Sequence, residues 1–376
     1  MMDFSSQFFV FRVDASLQMG VGHVMRCLTL ADALKARGAR SLFVCRTHHG
    51  NLIDFIVSRG HEVVGLPAQA RANDMAPTEP HKSEPRHALW VGASWQLDAQ
   101  QTIDALNGRH VDVLVVDHYG LDARWEARLR PLCSRLFAID DLADRPHAVD
   151  MLLDQNLGRV AADYVDSKCR LLIGPRYVLL RPEFAAWRER GLARRSAPFI
   201  RQVLVSMGGV DAANATCKVL DALSFSALPH NCRLIVVMGS QAPWLEQVRV
   251  SAARLPWSVD VKVGVSNMAE LMAASDLAIG AAGSTSWERC ALGLPALMLV
   301  LADNQREAAA ALEATHAARS VELDEHLPDT LRVFIDTCLS SPDALASMSH
   351  SAASIVDGLG VERVIAALAE HEGDTP

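Results

Sequence analysis

The sequence predicts an α/β protein of two doubly wound, nucleotide-fold domains, and three observations carry that expectation. At 376 residues, half of them apolar, the chain is long enough to bury two hydrophobic cores. Short apolar runs alternate with helix-periodic stretches in both halves, the pattern of parallel sheets covered by helices on both faces. Two glycine-rich turns, Gly20-Val21-Gly22-His23 and Gly280-Ala281-Ala282-Gly283-Ser284-Thr285, each follow such a run and open a helix. Each can therefore present backbone N–H groups to an anion.

Residues 8–13 read as the first strand, and Val24, Leu28, Ala31 and Leu34 give the stretch 24–37 the apolar face of a helix. Strands follow at 41–45, 62–66, 111–117 and 135–140, with helices at 52–59, 99–108 and 123–132. The segment 70–86, with Pro77, Pro80 and Pro85 and little apolar character, reads as a surface loop, either a lid or a passive insertion. The arginine-heavy stretch 187–195 before Pro198 is the best candidate for a linker. The expected division is thus a first domain over 1–185, a linker over 186–200, a second domain over 201–360, and a closing helix and tail over 361–376. The second domain restarts the rhythm with strands at 202–207, 233–238, 259–263, 277–280 and 295–299. Its helices are expected at 213–223, 243–255, 268–274, 284–292 and 305–316, and the stretch 361–370 is a candidate to cross back onto the first domain. Ligands of open parallel sheets sit beyond the C-terminal strand ends. If the two domains face each other, the Gly20, Tyr119, Gly208 and Gly283 loops share one central cleft.

A formal charge of −8 argues against a nucleic-acid partner and points to small-molecule chemistry. The eight cysteines stand singly, with no C-x-x-C, as reduced thiols would in a cytoplasmic protein without a metal site. No apolar run approaches membrane-spanning length and the first residues lack a cleavage signal, so no membrane partner is expected. The oligomeric state is not legible, and a monomer is favoured.

His23 follows Gly22 at a helix start, where the helix dipole disfavours a charged ring; a neutral imidazole there can accept a proton, or simply cap or pack. Arg12, Asp14 and Arg26 add charge to the same rim. The buried run ending at Asp117 continues as His118-Tyr119-Gly120, where the Tyr119 hydroxyl either orients a water or sugar oxygen or packs in a turn. Asp140 and Asp141 end the next strand, equally suited to capping and to touching a substrate. In the second half, Gly208 and Gly209 allow a phosphate close to the backbone. Ser284 and Thr285 add hydroxyls suited to a diphosphate. Glu288 suits a ribose diol, although Ser/Thr-x-x-Glu is also a capping box. Asn304 and Gln305 offer amides for sugar hydroxyl and acetamido groups.

Taken in order, these segments resemble one family. Residues 12–16, 20–28, 117–120, 174–177, 180–184, 207–209, 283–288 and 304–305 are similar to the UDP-sugar hydrolases of pseudaminic acid biosynthesis, a likeness spanning roughly residues 8 to 310. The resemblance implies a GT-B fold, two Rossmann-like domains facing a central cleft. It also implies hydrolysis of UDP-2,4-diacetamido-2,4,6-trideoxy-β-L-altrose to UDP and the free sugar, with no metal and no cofactor. The residue matching His23 is the base that activates water, with the match to Tyr119 assisting. The match to Glu288 binds the ribose, and the backbone of the 265–268 loop, ending at Met268, faces uracil. Further substrate contacts are expected from Arg12, Asp14, Gly22, Arg26, Asp117, His118, Gly208, Gly209, Gly283, Ser284, Thr285, Asn304 and Gln305. The 70–86 loop and the tail beyond Asp324 depart from the family pattern. Three other readings share this cradle: a GT-B transferase that passes the sugar to a hydroxyl acceptor, a related hydrolase for another surface sugar, and an idle UDP-sugar sensor.

Overall fold

A computed structural model describes residues 3–68, 84–164, 168–196, 199–240 and 242–370. The chain divides into two compact units, the first running to Leu179 and resuming at Gly360, the second running from Leu180 to Leu359.

The first unit is built on strands β1 (Phe8–Val13), β2 (Arg40–Arg46), β3 (Glu62–Leu66), β4 (Val111–Asp117), β5 (Cys133–Ile139), β6 (Met151–Asp154) and β7 (Arg170–Ile173). They form one parallel sheet in the order β3-β2-β1-β4-β5-β6-β7. Helices α1 (Gly22–Lys35), α2 (Ile53–Ser58), α3 (Trp95–Leu106) and α4 (Ala123–Leu129) connect them. Side chains alternate along β1. Phe9, Phe11 and Val13 enter the core under α1, whereas Phe8 and Val10 enter the core under α3 and α4. Phe11 stacks on Phe43 of β2 with ring centroids 4.8 Å apart. Strand order reverses between β1 and β4, where Val13 lies opposite Asp117. This topological switch point is where ligand crevices form in open α/β sheets.

The second unit repeats the plan with β8 (Gln202–Ser206), β9 (Arg233–Met238), β10 (Ser258–Val263), β11 (Leu277–Ala281), β12 (Ala296–Val300) and β13 (Arg319–Glu322). Their order is β10-β9-β8-β11-β12-β13, again parallel, and the switch falls between β8 and β11 with Ser206 opposite Gly280. Its helices are α5 (Pro182–Arg195), α6 (Ala215–Leu223), α7 (Leu245–Ala253), α8 (Met268–Ala273), α9 (Thr285–Ala291), α10 (Arg306–Ala314), α11 (Leu327–Ser340) and α12 (Pro342–Ile355).

The division between the units differs from the expected linker. The arginine-rich stretch is not a linker: α5 is packed into the second unit, and the units divide at Leu179–Leu180. Buried Arg195 donates to the carbonyls of Gly191, Met272, Ser275 and Leu292, and Arg188 donates to those of Ala353 and Val356. Most of these carbonyls lie in the last turn of a helix or just past it, where intrahelical partners run out. The closing helix α13 (Gly360–Ala369) belongs to the first unit. It buries Val361, Val364, Ile365 and Leu368 in that unit's core. Each such side chain contributes roughly 1.5–3 kcal/mol. A Cβ on Gly360 would lie 2.2 Å from the Val178 carbonyl oxygen, so glycine allows the close approach that starts this helix.

Of the expected 70–86 loop, only 84–86 fall among the described residues, with Pro85 buried between exposed Glu84 and Arg86. All eight cysteines are free thiols. Among the described residues, no helix is long and apolar enough to cross a membrane.

Candidate active site

After β1, the chain makes a tight turn closed by a bridge between Ser16 and Gly20, where Gly20 takes a φ of +74°. Helix α1 starts at Gly22, placing His23 and Arg26, three residues apart, on one helix face over the end of β4. His23 Nδ1 lies 2.6 Å from Asp117 Oδ1. Arg26 donates to the same carboxylate through Nε at 2.6 Å and Nη2 at 2.7 Å, and through Nη1 to Asp141 Oδ2 at 2.5 Å. The Tyr119 hydroxyl donates to that Asp141 oxygen at 2.8 Å, and its ring meets His23 edge-on with centroids 4.5 Å apart. His23, Asp117, Arg26, Asp141 and Tyr119 thus form a closed ring of contacts.

The ring decides the chemistry available to His23. An ionised carboxylate only accepts, so the imidazole proton sits on Nδ1 and Nε2 is left as the acceptor. His23 keeps 9% of its surface exposed, whereas Asp117 beneath it keeps 1%. Burial raises the Asp117 carboxyl, but Arg26 and His23 outweigh it and hold the group below the usual carboxylate range. Burial, reinforced by Asp141, pushes the Tyr119 phenol well above its ordinary value, so it is a neutral donor. A histidine with a buried carboxylate on Nδ1 is arranged to take a proton at Nε2 while the carboxylate supports the resulting cation.

Several expected ligand contacts lie underneath this ring instead. Arg12 is fully buried, donating to Asp14 at 2.7 and 2.8 Å and to Asp98 at 3.0 and 2.6 Å. Asp14 also accepts the Arg46 N–H at 2.6 Å. Both are occupied by Asp98 of α3 and Arg46 of β2, so they brace the rim and do not reach a ligand. Buried His118 accepts the Gly120 N–H on Nδ1 at 2.9 Å, with Nε2 3.4 Å from Asp14, and so holds its own turn. Asp140 accepts from Arg145, the Ala143 N–H and Tyr164, fixing the loop that follows β5 and capping no helix. Asp141, its neighbour, joins the ring, and its Oδ1 is buried without a partner among the described residues. The sequence left Asp141 undecided and did not single out His87 and Trp90, whose rings flank Tyr119 at 5.7 and 6.0 Å. A strand-end carboxylate one strand from the switch point is the signal that marks Asp141.

In the second unit, the loops after β8, β11 and β12 carry the other expected residues. Gly208 takes a φ of +89°, and a Cβ on Gly239 would lie 1.8 Å from the Gly209 carbonyl oxygen, so the turn after β8 packs directly on the turn after β9. Asp211 accepts the N–H groups of Ala215 and Thr216 at 2.8 and 3.0 Å, which caps α6. Ser284 precedes α9 and makes no capping bond with its side chain. Gln305 accepts the Leu301 N–H through Oε1, and its Nε2 stands 3.9 Å from where a Gly283 Cβ would be. Asn304 beside it is exposed, and Met268 opens α8 in a half-buried position. Glu288 contacts Arg181 at 3.4 Å; burial raises its carboxyl even though Arg181 pulls it down.

The two doubly wound units define a GT-B protein. The chain superposes on Acinetobacter baumannii MurG with a TM-score of 0.68 over 96% of this chain and 99% of that one, at 16% identity. Residues 203–361 match the model of the glycosyltransferase family 28 C-terminal domain. An uncharacterised protein of Methanocaldococcus jannaschii is 26% identical over 78% of this chain, and the Bacillus subtilis spore coat polysaccharide biosynthesis protein SpsG is 31% identical over 54%. The chain spans 56% and 60% of the lengths of those two relatives. The UDP-2,4-diacetamido-2,4,6-trideoxy-β-L-altropyranose hydrolase of Campylobacter jejuni is 26% identical over 73% of this chain and 85% of its own length.

Proposed function

We propose that this protein hydrolyses a UDP-linked diacetamido-trideoxy sugar, UDP-2,4-diacetamido-2,4,6-trideoxy-β-L-altrose, to UDP and the free sugar. The observation that carries the reading is His23, largely buried, with its Nδ1 committed to buried Asp117 and its Nε2 free to accept. Likeness to a hydrolase of that name over most of the chain supports the choice of substrate.

In this reading water is held at His23 Nε2. Its oxygen bonds to the anomeric carbon as the bond from that carbon to the β-phosphate oxygen breaks, and the electron pair departs with UDP. The water proton passes to Nε2, and the sugar inverts at the anomeric centre. Asp117 keeps the ring in the accepting tautomer and balances its charge after transfer. Tyr119 acts by fixing the ring plane, since its hydroxyl is already given to Asp141. In the second unit, the Gly208-Gly209 and Gly283-Ser284-Thr285 turns take the diphosphate, Glu288 the ribose, the 265–268 loop uracil, and Asn304 and Gln305 the sugar substituents. Donors aimed at the departing diphosphate supply the electrostatic stabilisation that commonly dominates such reactions.

A second reading, transfer of the sugar to a hydroxyl acceptor deprotonated by the same His23, is favoured by the family 28 domain. The two separate in one assay. Hydrolysis releases UDP from the sugar nucleotide alone at a rate unaffected by candidate acceptors, whereas transfer requires the acceptor. His23→Ala and His23→Asn are expected to lower UDP release about a hundred- to ten-thousand-fold with UDP binding retained. Near-normal release by either variant refutes the assignment.

A further inference from the structure

Arg289 has its Cα in α9, but its guanidinium folds back to the start of that helix. Nη2 donates to the Ala281 carbonyl and to Ser286 Oγ, both at 2.8 Å, and Nη1 to Thr285 Oγ1 at 3.3 Å. The residue is 3% exposed, and its Nε is buried without a partner. Every acceptor is neutral, and among the described residues no carboxylate pairs with the group. Gly280 of β11 makes the room: a Cβ there would lie 2.7 Å from Arg289 Nη1 and 2.7 Å from the Ser206 carbonyl oxygen.

This is an unfavourable place for a cation. The N-terminal end of a helix is its positive end, and burial adds a desolvation cost that the neighbouring Glu288 carboxylate, not bonded to the guanidinium, offsets only in part. Arg195, the other buried arginine of this unit with no carboxylate bonded to it, shows the contrast. It meets four carbonyl oxygens, among them those at the C-terminal ends of α8 and α9, where the dipole is negative. Burial lowers the Arg289 guanidinium to about 10, so it carries its charge at neutral pH.

We propose that Arg289 is a positioning residue for a pyrophosphate group: its buried charge and its bonds to Ala281 and Thr285 shape the turn around Gly283 and are compensated when a nucleoside diphosphate binds there. The inference rests on the reading of the second unit as the UDP-holding unit. It requires no direct contact between Arg289 and the ligand. The guanidinium acts through the turn it holds and through its field in a low-dielectric surrounding.

The test compares UDP with uridine on the full-length protein, by titration calorimetry, for the wild type, Arg289→Met and Arg289→Lys, alongside thermal unfolding of each without ligand. Wild type is expected to bind UDP more tightly than uridine. Arg289→Met should weaken UDP about tenfold or more while uridine affinity stays within about twofold, and its ligand-free melting temperature should not fall. Arg289→Lys, which keeps the charge but not the fork, should lie between. An unchanged ratio of UDP to uridine affinity in both variants overturns the proposal. So does a parallel loss of both ligands with a lowered melting temperature, which would make Arg289 structural only. A wild type that binds UDP no better than uridine refutes the nucleotide reading itself, and the inference with it; that outcome is distinct because no variant is needed to see it.

Discussion

Asp117→Asn is the most searching single substitution in the first unit. The Asp117 carboxylate accepts two bonds from Arg26 at 2.6 and 2.7 Å and one from His23 at 2.6 Å, with 1% of its surface exposed. The amide keeps the shape but turns one oxygen into a donor. Either that NH2 faces Arg26, leaving a buried cation with a donor against it, or it faces His23 and drives the ring proton from Nδ1 to Nε2. Removing one partner of a buried charge pair costs about 3–5 kcal/mol, here moderated because Arg26 retains Asp141. Loss of the accepting tautomer costs on the order of ten-thousand-fold in rate where a carboxylate orients a catalytic histidine. Urea unfolding and UDP-release kinetics on the same preparation read both effects. The Asp117 carboxyl is held below the usual range, so its stabilisation is present above the ordinary carboxylate pKa and lost as pH falls through the lowered folded value. The gap between wild type and variant should therefore persist from neutral pH down to pH 4. Stability within about 0.5 kcal/mol of wild type, with turnover within tenfold, would refute the ring as described.

Tyr119→Phe removes the bond to Asp141 but keeps the edge-on ring; it should lower stability by about 1.5–3 kcal/mol and reduce turnover less than His23→Ala, and an equal loss of turnover would contradict a positioning role. His147 is buried with Nδ1 2.6 Å from Glu126; burial lowers it, but Asp140 and Glu126 raise it to about 9. Its charged form stabilises the fold fully below about 6.5 and loses that contribution as pH rises through about 9. His147→Gln should therefore be less stable than wild type by on the order of 3 kcal/mol at pH 6, with the gap closing by pH 10; an equal gap at both values would contradict the assignment. Gly239→Ala places a methyl 1.8 Å from the Gly209 oxygen and should destabilise the second unit by about 1–3 kcal/mol or more, measured by thermal unfolding, whereas an unchanged melting temperature would show that the two turns separate freely.

The sheet strands nearest the switch points were legible because apolar runs there end abruptly in polar or glycine residues, as Val113 to Val116 does at Asp117. Strands β6, β7 and β13 were not, since four residues are too few to show a period. Helix α5 looked like a linker because its arginines read as solvated charge, whereas their partners are carbonyls contributed by α8, α9 and α12. The same limit governs the site. His23 was found through local chemistry, a histidine following a glycine turn. Arg12 and Asp14 were placed at the rim because a charged strand end suggests one, yet Asp98, 86 positions away from Arg12, covers them. Asp141 could be paired with Arg26 only through tertiary structure, across 115 positions. Local pattern names the residues that carry charge, and packing decides which of them face outward.

The central claim is attack by water at the anomeric carbon, and the direct measurement is a turnover in water enriched in heavy oxygen, with products resolved by mass spectrometry and followed by proton and phosphorus NMR. The account predicts UDP release from UDP-2,4-diacetamido-2,4,6-trideoxy-β-L-altrose without any acceptor, with the heavy oxygen in the sugar and none in UDP. Heavy oxygen in UDP would place the attack at phosphorus and contradict the role given to His23, and UDP release only on addition of a hydroxyl acceptor would make the reaction a transfer and contradict the role given to water.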